Sequence, residues 1–173
     1  GLADSKYNER RNSCEEAVKF INKNGVNIKY LGELTVAEFE KVKHYITDKE
    51  QLKRATHAVT ENERAKNAVE FLKKDDIAEF GRLMNKSHIS LRDDYEVTGS
   101  ELDSLVEAAW EEKGTVGSRM TGAGFGGCTV SIVENAYVDS FIKNVGKKYK
   151  EKTGLEASFY IANIGDGAGR YIK

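Results

Sequence analysis

A glycine-rich run between two β-type segments is the feature that most constrains this chain. Residues 121–127 read Thr-Gly-Ala-Gly-Phe-Gly-Gly, which satisfies the pattern G-x-G-x-x-G. A dinucleotide site requires a helix directly after such a loop, because the helix N terminus holds the pyrophosphate. Residues 128–133 instead read Cys-Thr-Val-Ser-Ile-Val, a strand pattern, and no Gly-Lys-Ser/Thr sequence closes a Walker loop. The run therefore predicts a β-loop-β unit and argues against a dinucleotide-binding fold.

The glycine content of this loop leaves two interpretations open. Four glycines within residues 122–127 exceed what a tight turn requires. Either the backbone is crowded by its surroundings, or its amides stay free to form an anion-binding nest. Arg119, just before the loop, fits an electropositive site and a surface or interdomain salt bridge equally well.

The sequence before the loop reads as helices. Apolar residues recur at helical spacing in segments that begin near Ser5, Thr35, Asp48, Ile77 and Ser100. Thr35 followed by Glu38 is a capping box, which marks a helix start. Glycine supplies most of the breaks between segments, since the chain contains no proline.

After the loop, the pattern continues as β-α-β. Asn135 is expected to cap a helix that ends at Gly154, and residues 157–162 read as a third strand. Tyr171-Ile172 is expected to form a short edge strand. We therefore predict an α+β fold over a single domain, 1–173, in which several N-terminal helices precede a small antiparallel sheet, a ferredoxin-like layer with a β-loop-β-α-β unit.

Composition excludes several classes of partner. Lys and Arg number 27 against 28 Asp and Glu, so there is no electrostatic case for nucleic acid or an acidic membrane. No apolar run is long enough to span a bilayer. Cys14 and Cys128 do not make a disulfide framework, and no Cys/His cluster has metal-ligand spacing. A reducing cytoplasm is the expected compartment.

Four stretches of the chain resemble the galactokinases, sugar kinases of the GHMP family, and they occur in the family's order. Residues 117–130, Gly-Ser-Arg-Met-Thr-Gly-Ala-Gly-Phe-Gly-Gly-Cys-Thr-Val, resemble the third signature motif of that family. The other three are Ser-Lys-Tyr-Asn-Glu-Arg-Arg at 5–11 with Cys14-Glu15, Arg-Ala-Thr-His-Ala-Val at 54–59 with Glu61, and Leu-Arg-Asp-Asp-Tyr-Glu-Val at 91–97 with Ser-Glu-Leu-Asp at 100–103.

The resemblance implies a kinase that transfers the γ-phosphoryl group of ATP, with magnesium, to the anomeric hydroxyl of galactose. It also implies an active site in a cleft between two halves. Family members carry a serine-rich nucleotide loop, a catalytic aspartate and a nearby arginine in their N-terminal half, and no Gly-Leu-Ser-Ser-Ser type loop occurs in this chain. We therefore expect that half to be absent, no catalytic residue and no metal ligand in this chain, and no activity from the isolated piece.

By the same resemblance, Tyr7 matches a tyrosine that hydrogen-bonds a sugar hydroxyl. The loop Gly122, Ala123, Gly124, Phe125, Gly126 and Gly127 is expected to face the cleft beside the nucleotide phosphates. The alternative for Tyr7 is a core position on an amphipathic helix. His57 is expected to be a core or interdomain histidine, and Asp93 and Asp94 are expected to lie in a solvated loop.

Three other functions remain open at this point. The chain could belong to another GHMP kinase, acting on N-acetylgalactosamine or a similar small molecule. It could belong to a non-catalytic galactokinase-like sensor that binds sugar and ATP. It could also be an unrelated α+β binding module, which predicts ligand binding by this chain alone.

Overall fold

The computed structural model describes residues 2–163 together with Gly165, Gly167 and Gly169. The edge strand expected at Tyr171-Ile172 lies outside these residues. The described part contains six α-helices and one β-hairpin, in the order α1 Leu2–Lys23, α2 Val36–Val42, α3 Lys49–Lys73, α4 Ile77–Ser90, α5 Ser100–Trp110, β1 Thr115–Thr121, β2 Cys128–Val133 and α6 Val138–Thr153. This helix-rich α+β architecture is the predicted class.

Side-chain caps mark the starts of α2, α3 and α4. The capping box at α2 is complete, because Glu38 N donates to Thr35 Oγ1 (3.2 Å) and Thr35 N donates to Glu38 Oε2 (2.8 Å). Asp48 accepts from Gln51 N at the start of α3 (2.8 Å). The predicted cap at Asn135 is wrong. Asn135 begins a 3-10 turn through Tyr137, and α6 starts after that turn without a side-chain cap.

Three apolar clusters hold these elements together. The largest lies between α1, α2 and α3, and its fully buried members include Ala17, Ile21, Phe39, Ala55 and Val59. A second joins the turn after α4 to α5 and β1 through Leu91, Val97, Leu102 and Met120. The third packs α5 against α6 through Ala108, Ala109, Phe141 and Val145. The candidate site lies over the second cluster.

The hairpin crosses α4 at very short range. A Cβ placed on Gly81 would lie 2.0 Å from the carbonyl oxygen of Val116, and a Cβ on Gly117 would lie 2.7 Å from the Cα of Gly81. Only glycine at both positions allows this backbone-to-backbone approach. The crossing fixes β1, and with it the glycine loop, directly on a helix.

Helix side chains satisfy the polar groups along the outer edge of β1. Asn85 Oδ1 accepts from Ser118 N (2.9 Å), and His88 Nδ1 accepts from Met120 N (3.1 Å). Trp110 Nε1 donates to the carbonyl of Ser118 (3.1 Å). Because backbone groups alternate in direction along an antiparallel strand, these groups point away from β2. Three side chains from α4 and α5 therefore occupy the place of a neighbouring strand.

The third strand predicted at 157–162 is not formed. Residues 154–163 have no strand pairing, and the described part of the chain contains only β1 and β2, paired antiparallel from Thr121↔Cys128 to Thr115↔Val133. Pairing with β1 is excluded because helix side chains already bond its outer edge, and residues 154–163 do not pair with β2 either. Phe159 packs instead against α6, where a Cβ on Gly146 would lie 3.3 Å from its ring. The sheet of the expected ferredoxin-like layer is thus reduced to one hairpin.

Candidate functional site

Tyr7 and the glycine loop line one cavity. Its volume is about 110 Å³, and it opens between α1, the turn that follows α4, and the hairpin. The walls come from Tyr7 and Arg10 of α1, from Leu91, Tyr95 and Val97, and from Met120, Gly122, Ala123 and Phe125. Two features singled out from the sequence, more than a hundred positions apart, therefore meet at one surface.

Tyr7 is not a core residue. Its side chain is 57% exposed, although other apolar residues of α1 such as Ala17 and Ile21 are fully buried. The phenol therefore combines an apolar ring at the cavity with a hydroxyl that water or a ligand can reach. The amphipathic-core alternative for Tyr7 is wrong for this fold.

The glycine loop is a hairpin connection with an unusual backbone. Gly122, Gly124, Gly126 and Gly127 all have positive φ, between 83° and 110°. β2 follows immediately, since Cys128 pairs with Thr121, and no helix starts from the loop. This geometry removes the dinucleotide interpretation, because no helix N terminus faces the loop.

Both earlier explanations for the surplus of glycine apply, at different positions. A Cβ on Gly124 would lie 2.2 Å from the carbonyl oxygen of Val97, so this glycine permits a close backbone approach. At Gly122, Gly126 and Gly127 an added Cβ would meet no atom within 4 Å. There the glycines serve the backbone conformation alone, and the outer part of the loop stays open.

Most amides of the loop have no protein acceptor. Phe125 N donates to the Val97 carbonyl (2.7 Å), which ties the loop to the turn after α4. Within residues 2–163, the amides of Gly122, Ala123, Gly124, Gly126 and Gly127 donate to no backbone or side-chain oxygen. Unpaired amides of this kind can receive anionic oxygens.

Two buried arginines hold the turn beneath the cavity. The turn is a π-helical extension of α4 over Leu91–Tyr95, and it ends at Glu96 in the left-handed region (φ 53°). Arg10 Nε donates to the carbonyl of Tyr95 (2.6 Å), and Arg54 donates to the carbonyl of Asp94 (2.5 Å). The guanidinium groups thereby satisfy helix-end carbonyls that otherwise lack partners, at the negative end of the helix dipole.

Neither arginine was identified as a functional residue from the sequence. Arg10 lies three positions after Tyr7 and four before Cys14, so it shares their helical face, and that spacing was an available signal. Arg54 is 2% exposed and binds Glu96, a residue 42 positions away, through a 2.7 Å ion pair. Hydrogen bonds from Lys53 and Arg54 lower the pKa of Glu96 to about 2.

A hydrogen-bonded chain of side chains crosses from α3 to the same turn. Ser90 Oγ donates to Asp94 Oδ2 (2.7 Å), so His57 Nδ1, 3.0 Å from Ser90 Oγ, acts as the donor to it. His57 also stacks on Tyr95, with ring centroids 4.5 Å apart. Burial lowers the pKa of His57 to about 4, so the ring is neutral at pH 7.

This chain of bonds bears on two predictions. His57 is buried and packed within the fold, which agrees with the core alternative for this histidine. The prediction of a solvated loop for Asp93 and Asp94 is wrong, because both belong to the π-helical turn and Asp94 is half-buried. Only Asp93 is exposed, and it pairs with the neighbouring Arg92 (2.8 Å).

Arg119 belongs to a polar cluster rather than to the cavity. Its guanidinium lies 3.9 Å from Glu61, which also accepts from Ser87 Oγ (2.5 Å) and from Arg64 (2.7 Å). Burial raises the pKa of Glu61, but the hydrogen bonds from Ser87 and Arg64 outweigh burial and leave it below the ordinary value. The salt-bridge interpretation of Arg119 accounts for its position.

The described residues show no metal-binding group and no membrane-crossing helix. Residues 2–163 contain no cluster of three or more His, Cys, Asp or Glu side chains placed to hold a metal ion. In the same part of the chain, no helix is both long enough and apolar enough to cross a bilayer. The polar groups of the cavity are thus the phenols of Tyr7 and Tyr95, the guanidinium of Arg10 and main-chain amides, set among apolar walls. This set suits positioning rather than proton transfer.

Known proteins are similar to this chain in sequence and in fold. The family described as "GHMP kinases C terminal" matches residues 68–151. A galactokinase of Fusobacterium nucleatum subsp. nucleatum is 92% identical over 98% of this chain, and one of Clostridium acetobutylicum is 64% identical over 97%. The chain covers 44% and 43% of these proteins, so it spans less than half the length of the curated relatives it matches.

A solved structure gives the same result for the fold. The crystal structure of Lactococcus lactis galactokinase complexed with galactose superposes with a TM-score of 0.92 and 48% sequence identity, over 96% of this chain and 43% of that one. The resemblance drawn from four sequence stretches is confirmed. Residues 68–151 match the C-terminal domain of the GHMP kinases, and nearly the whole chain is similar in sequence and fold to the C-terminal part of galactokinases.

Proposed function

We propose that this chain forms the C-terminal wall of a galactokinase active site, in a reaction that converts galactose and ATP to galactose 1-phosphate and ADP. Tyr7 contacts the sugar, and loop 122–127 lies along the phosphates of ATP. The catalytic groups, the serine-rich nucleotide loop and most contacts to ATP and magnesium belong to an N-terminal half outside this chain. One observation carries the proposal: Tyr7 and the loop line the same cavity.

The chemistry of phosphoryl transfer explains how a wall without a catalytic base can matter. Such reactions depend mainly on aligning the attacking hydroxyl with the phosphorus and on stabilising charge on the phosphoryl oxygens. A phenol at the sugar and open amides near the phosphates would serve these two tasks. The loop is attached to the turn at Val97, which would keep its amides in place without cost at the moment of reaction.

Galactose is the preferred sugar because the relatives with 92% and 64% identity are galactokinases, and the matching L. lactis structure contains galactose. Kinases of N-acetylgalactosamine and non-catalytic sensors become outcomes of the tests below. The single domain over 1–173 and the cytoplasmic location remain predictions.

A chimera provides the main test. In it, this chain replaces the matched part of the F. nucleatum galactokinase, which is 92% identical to it. We expect ATP-dependent phosphorylation of galactose, in preference to N-acetylgalactosamine. Turnover of another sugar in preference to galactose would contradict the proposed substrate. A chimera that folds and binds galactose without turnover would show that this chain does not complete an active site whose catalytic groups the F. nucleatum half supplies, as expected for a piece of a sensor.

The isolated chain is the matched control. We expect no kinase activity and no calorimetric heat on titration with ATP-magnesium, because the principal nucleotide loop is not in these residues. Micromolar binding of ATP by this chain alone would contradict the proposal that most contacts to ATP lie in the N-terminal half, and would support an independent binding module.

The role of Tyr7 is tested by Tyr7→Phe in the chimera. Loss of one hydrogen bond to the sugar should raise the KM for galactose by a factor corresponding to about 1 kcal/mol, with little change in the KM for ATP. Tyr30→Phe serves as the control, because this tyrosine is also exposed but lies outside the cavity. An unchanged KM for galactose would remove Tyr7 from the sugar site.

A further inference from the structure

Phe125 is an unusual residue within the glycine loop. The loop uses glycine at four positions of positive φ, yet Phe125 also has positive φ (59°) and carries a bulky side chain. A bulky residue rarely occupies this region of φ, and a fifth glycine would adopt it without strain. The side chain therefore has a task that offsets the unfavourable backbone conformation.

The ring of Phe125 joins the loop to the structure below it. It is half-buried and packs on the apolar cluster that contains Leu91, Val97 and Met120. The amide of the same residue donates to the Val97 carbonyl. Backbone and side chain of one residue thus attach the loop to the turn after α4.

The other side of the ring faces the helix that carries Tyr7. The guanidinium carbon of Arg10 lies 5.9 Å from the ring centroid of Phe125, and Lys6 Nζ lies 5.7 Å from it, both within cation–π range. Arg10 is buried and is fixed by the carbonyls of Tyr95 and Glu96. Tyr7 lies one helical turn before Arg10 on α1, so the two side chains share a face.

We propose that Phe125 is a positioning residue that couples the two subsites, so that nucleotide at the loop and galactose at Tyr7 each increase the affinity for the other. This inference rests on the proposed function. The physical connection runs from the loop through the Phe125 ring to Arg10, and along one turn of α1 to Tyr7. Ordering of the loop by phosphate oxygens fixes the ring, and the fixed ring holds Arg10 and the adjacent turn of α1. Coupling of this kind is reciprocal by thermodynamic necessity.

The test measures galactose affinity in the chimera by calorimetry, with and without a non-hydrolysable ATP analogue and magnesium. We expect the analogue to tighten galactose binding about fivefold or more in the unsubstituted chimera, which is within the usual range for coupled sites. Phe125→Gly removes the ring and keeps the backbone conformation. The coupling factor, which is the ratio of galactose affinities with and without the analogue, should therefore fall to near one.

Two further variants separate coupling from folding. Phe125→Leu retains apolar packing on the cluster but has no aromatic face for Arg10, and we expect an intermediate factor. Phe71→Leu removes a half-buried ring from α3 that does not line the cavity, and the full factor should remain. Melting temperatures of all variants are recorded, because a general loss of structure would lower them and would weaken galactose binding with and without nucleotide alike.

The proposal is overturned if Phe125→Gly keeps the full coupling factor, or if the unsubstituted chimera shows no coupling. These outcomes differ from failure of the proposed function. In that case the unsubstituted chimera would fail to phosphorylate galactose, whatever residue stands at position 125.

Discussion

The body of β1 and the glycine loop that follows it satisfy their backbones in opposite ways. Along the body, Asn85, His88 and Trp110 bond the outward-facing groups of Ser118 and Met120. Beginning two residues after Met120, the loop leaves most of its amides without a protein acceptor within residues 2–163. The hydrogen-bonded edge holds β1 in place, while the amides of the loop that follows it stay available to a ligand. Rigidity and openness are thereby assigned to adjacent segments of one hairpin.

The largest effect on stability should come from disrupting the closest contact between α4 and β1. In Gly81→Ala the new methyl group would overlap the Val116 carbonyl, because the two atoms would be 2.0 Å apart. Forced separation of α4 and β1 should lower the free energy of unfolding by more than about 3 kcal/mol. Urea denaturation of the 173-residue chain measures this. Gly32→Ala, whose Cβ would meet only Asn62 at 3.8 Å, is the control and should change it by less than about 0.5 kcal/mol.

A second comparison lies within the loop itself. Gly124 and Gly122 have nearly the same φ (83° and 87°), but only Gly124 would place a Cβ against Val97. Gly122→Ala should therefore show the conformational cost alone, about 1 kcal/mol, whereas Gly124→Ala should lose about 3 kcal/mol in the same urea experiment. Equal losses would mean that Gly124 is not held against the turn.

Substitution of His88 tests how much the hydrogen bonds along the outer edge of β1 contribute to stability. In His88→Leu the amide of Met120 loses its acceptor in a fully buried place, which should cost about 2 kcal/mol of unfolding free energy. His44→Leu replaces an exposed histidine and should be nearly neutral. Burial also lowers the pKa of His88, and Asp103 Oδ1 lies 3.1 Å from its Nε2. A neutral result for His88→Leu would show that the edge of β1 does not need this partner.

The smallest expected effect concerns pH. His57 has a folded-state pKa of about 4, below its ordinary value of 6.5. The unfolded chain therefore takes up a proton first as pH falls, so the stabilisation present above pH 6.5 is lost progressively down to about pH 4. Between pH 7 and 5.5 the loss of unfolding free energy attributable to His57 should be about 1 kcal/mol, read as the difference between the unsubstituted chain and His57→Gln in urea denaturation. The carboxylate of Glu96 acts in a lower window, from about pH 4.5 down to about 2.

Local signals in the sequence were reliable guides to the fold. The capping box at Thr35, the helix that begins near Asp48 and the β pattern of residues 128–133 each formed where their residues predict. The third strand is not formed: Asn85, His88 and Trp110 occupy the edge of β1, and Phe159 packs against α6. No local pattern in residues 157–162 contains that information.

The candidate site likewise contains features that the sequence predicted and features that depend on tertiary packing. The family motif pointed to Tyr7 and the loop, and the structure brings them to one cavity. The burial of Arg54 and its bonds to residues 94 and 96 could not be predicted, because they depend on α3 packing against the turn after α4. Periodicity also left the exposure of Tyr7 open, since a tyrosine on an apolar helix face can point either into the core or to its rim.

The bonded edge of β1 also affects how copies of this chain can associate. A hairpin normally presents two rows of free amides and carbonyls, each of which can recruit a strand from another molecule and start an aggregate. Here the row formed by Ser118 and Met120 is already bonded by an amide, an imidazole and an indole from the same molecule. Addition of a foreign strand along β1 would have to displace all three side chains, so self-association through that edge is blocked by the native fold.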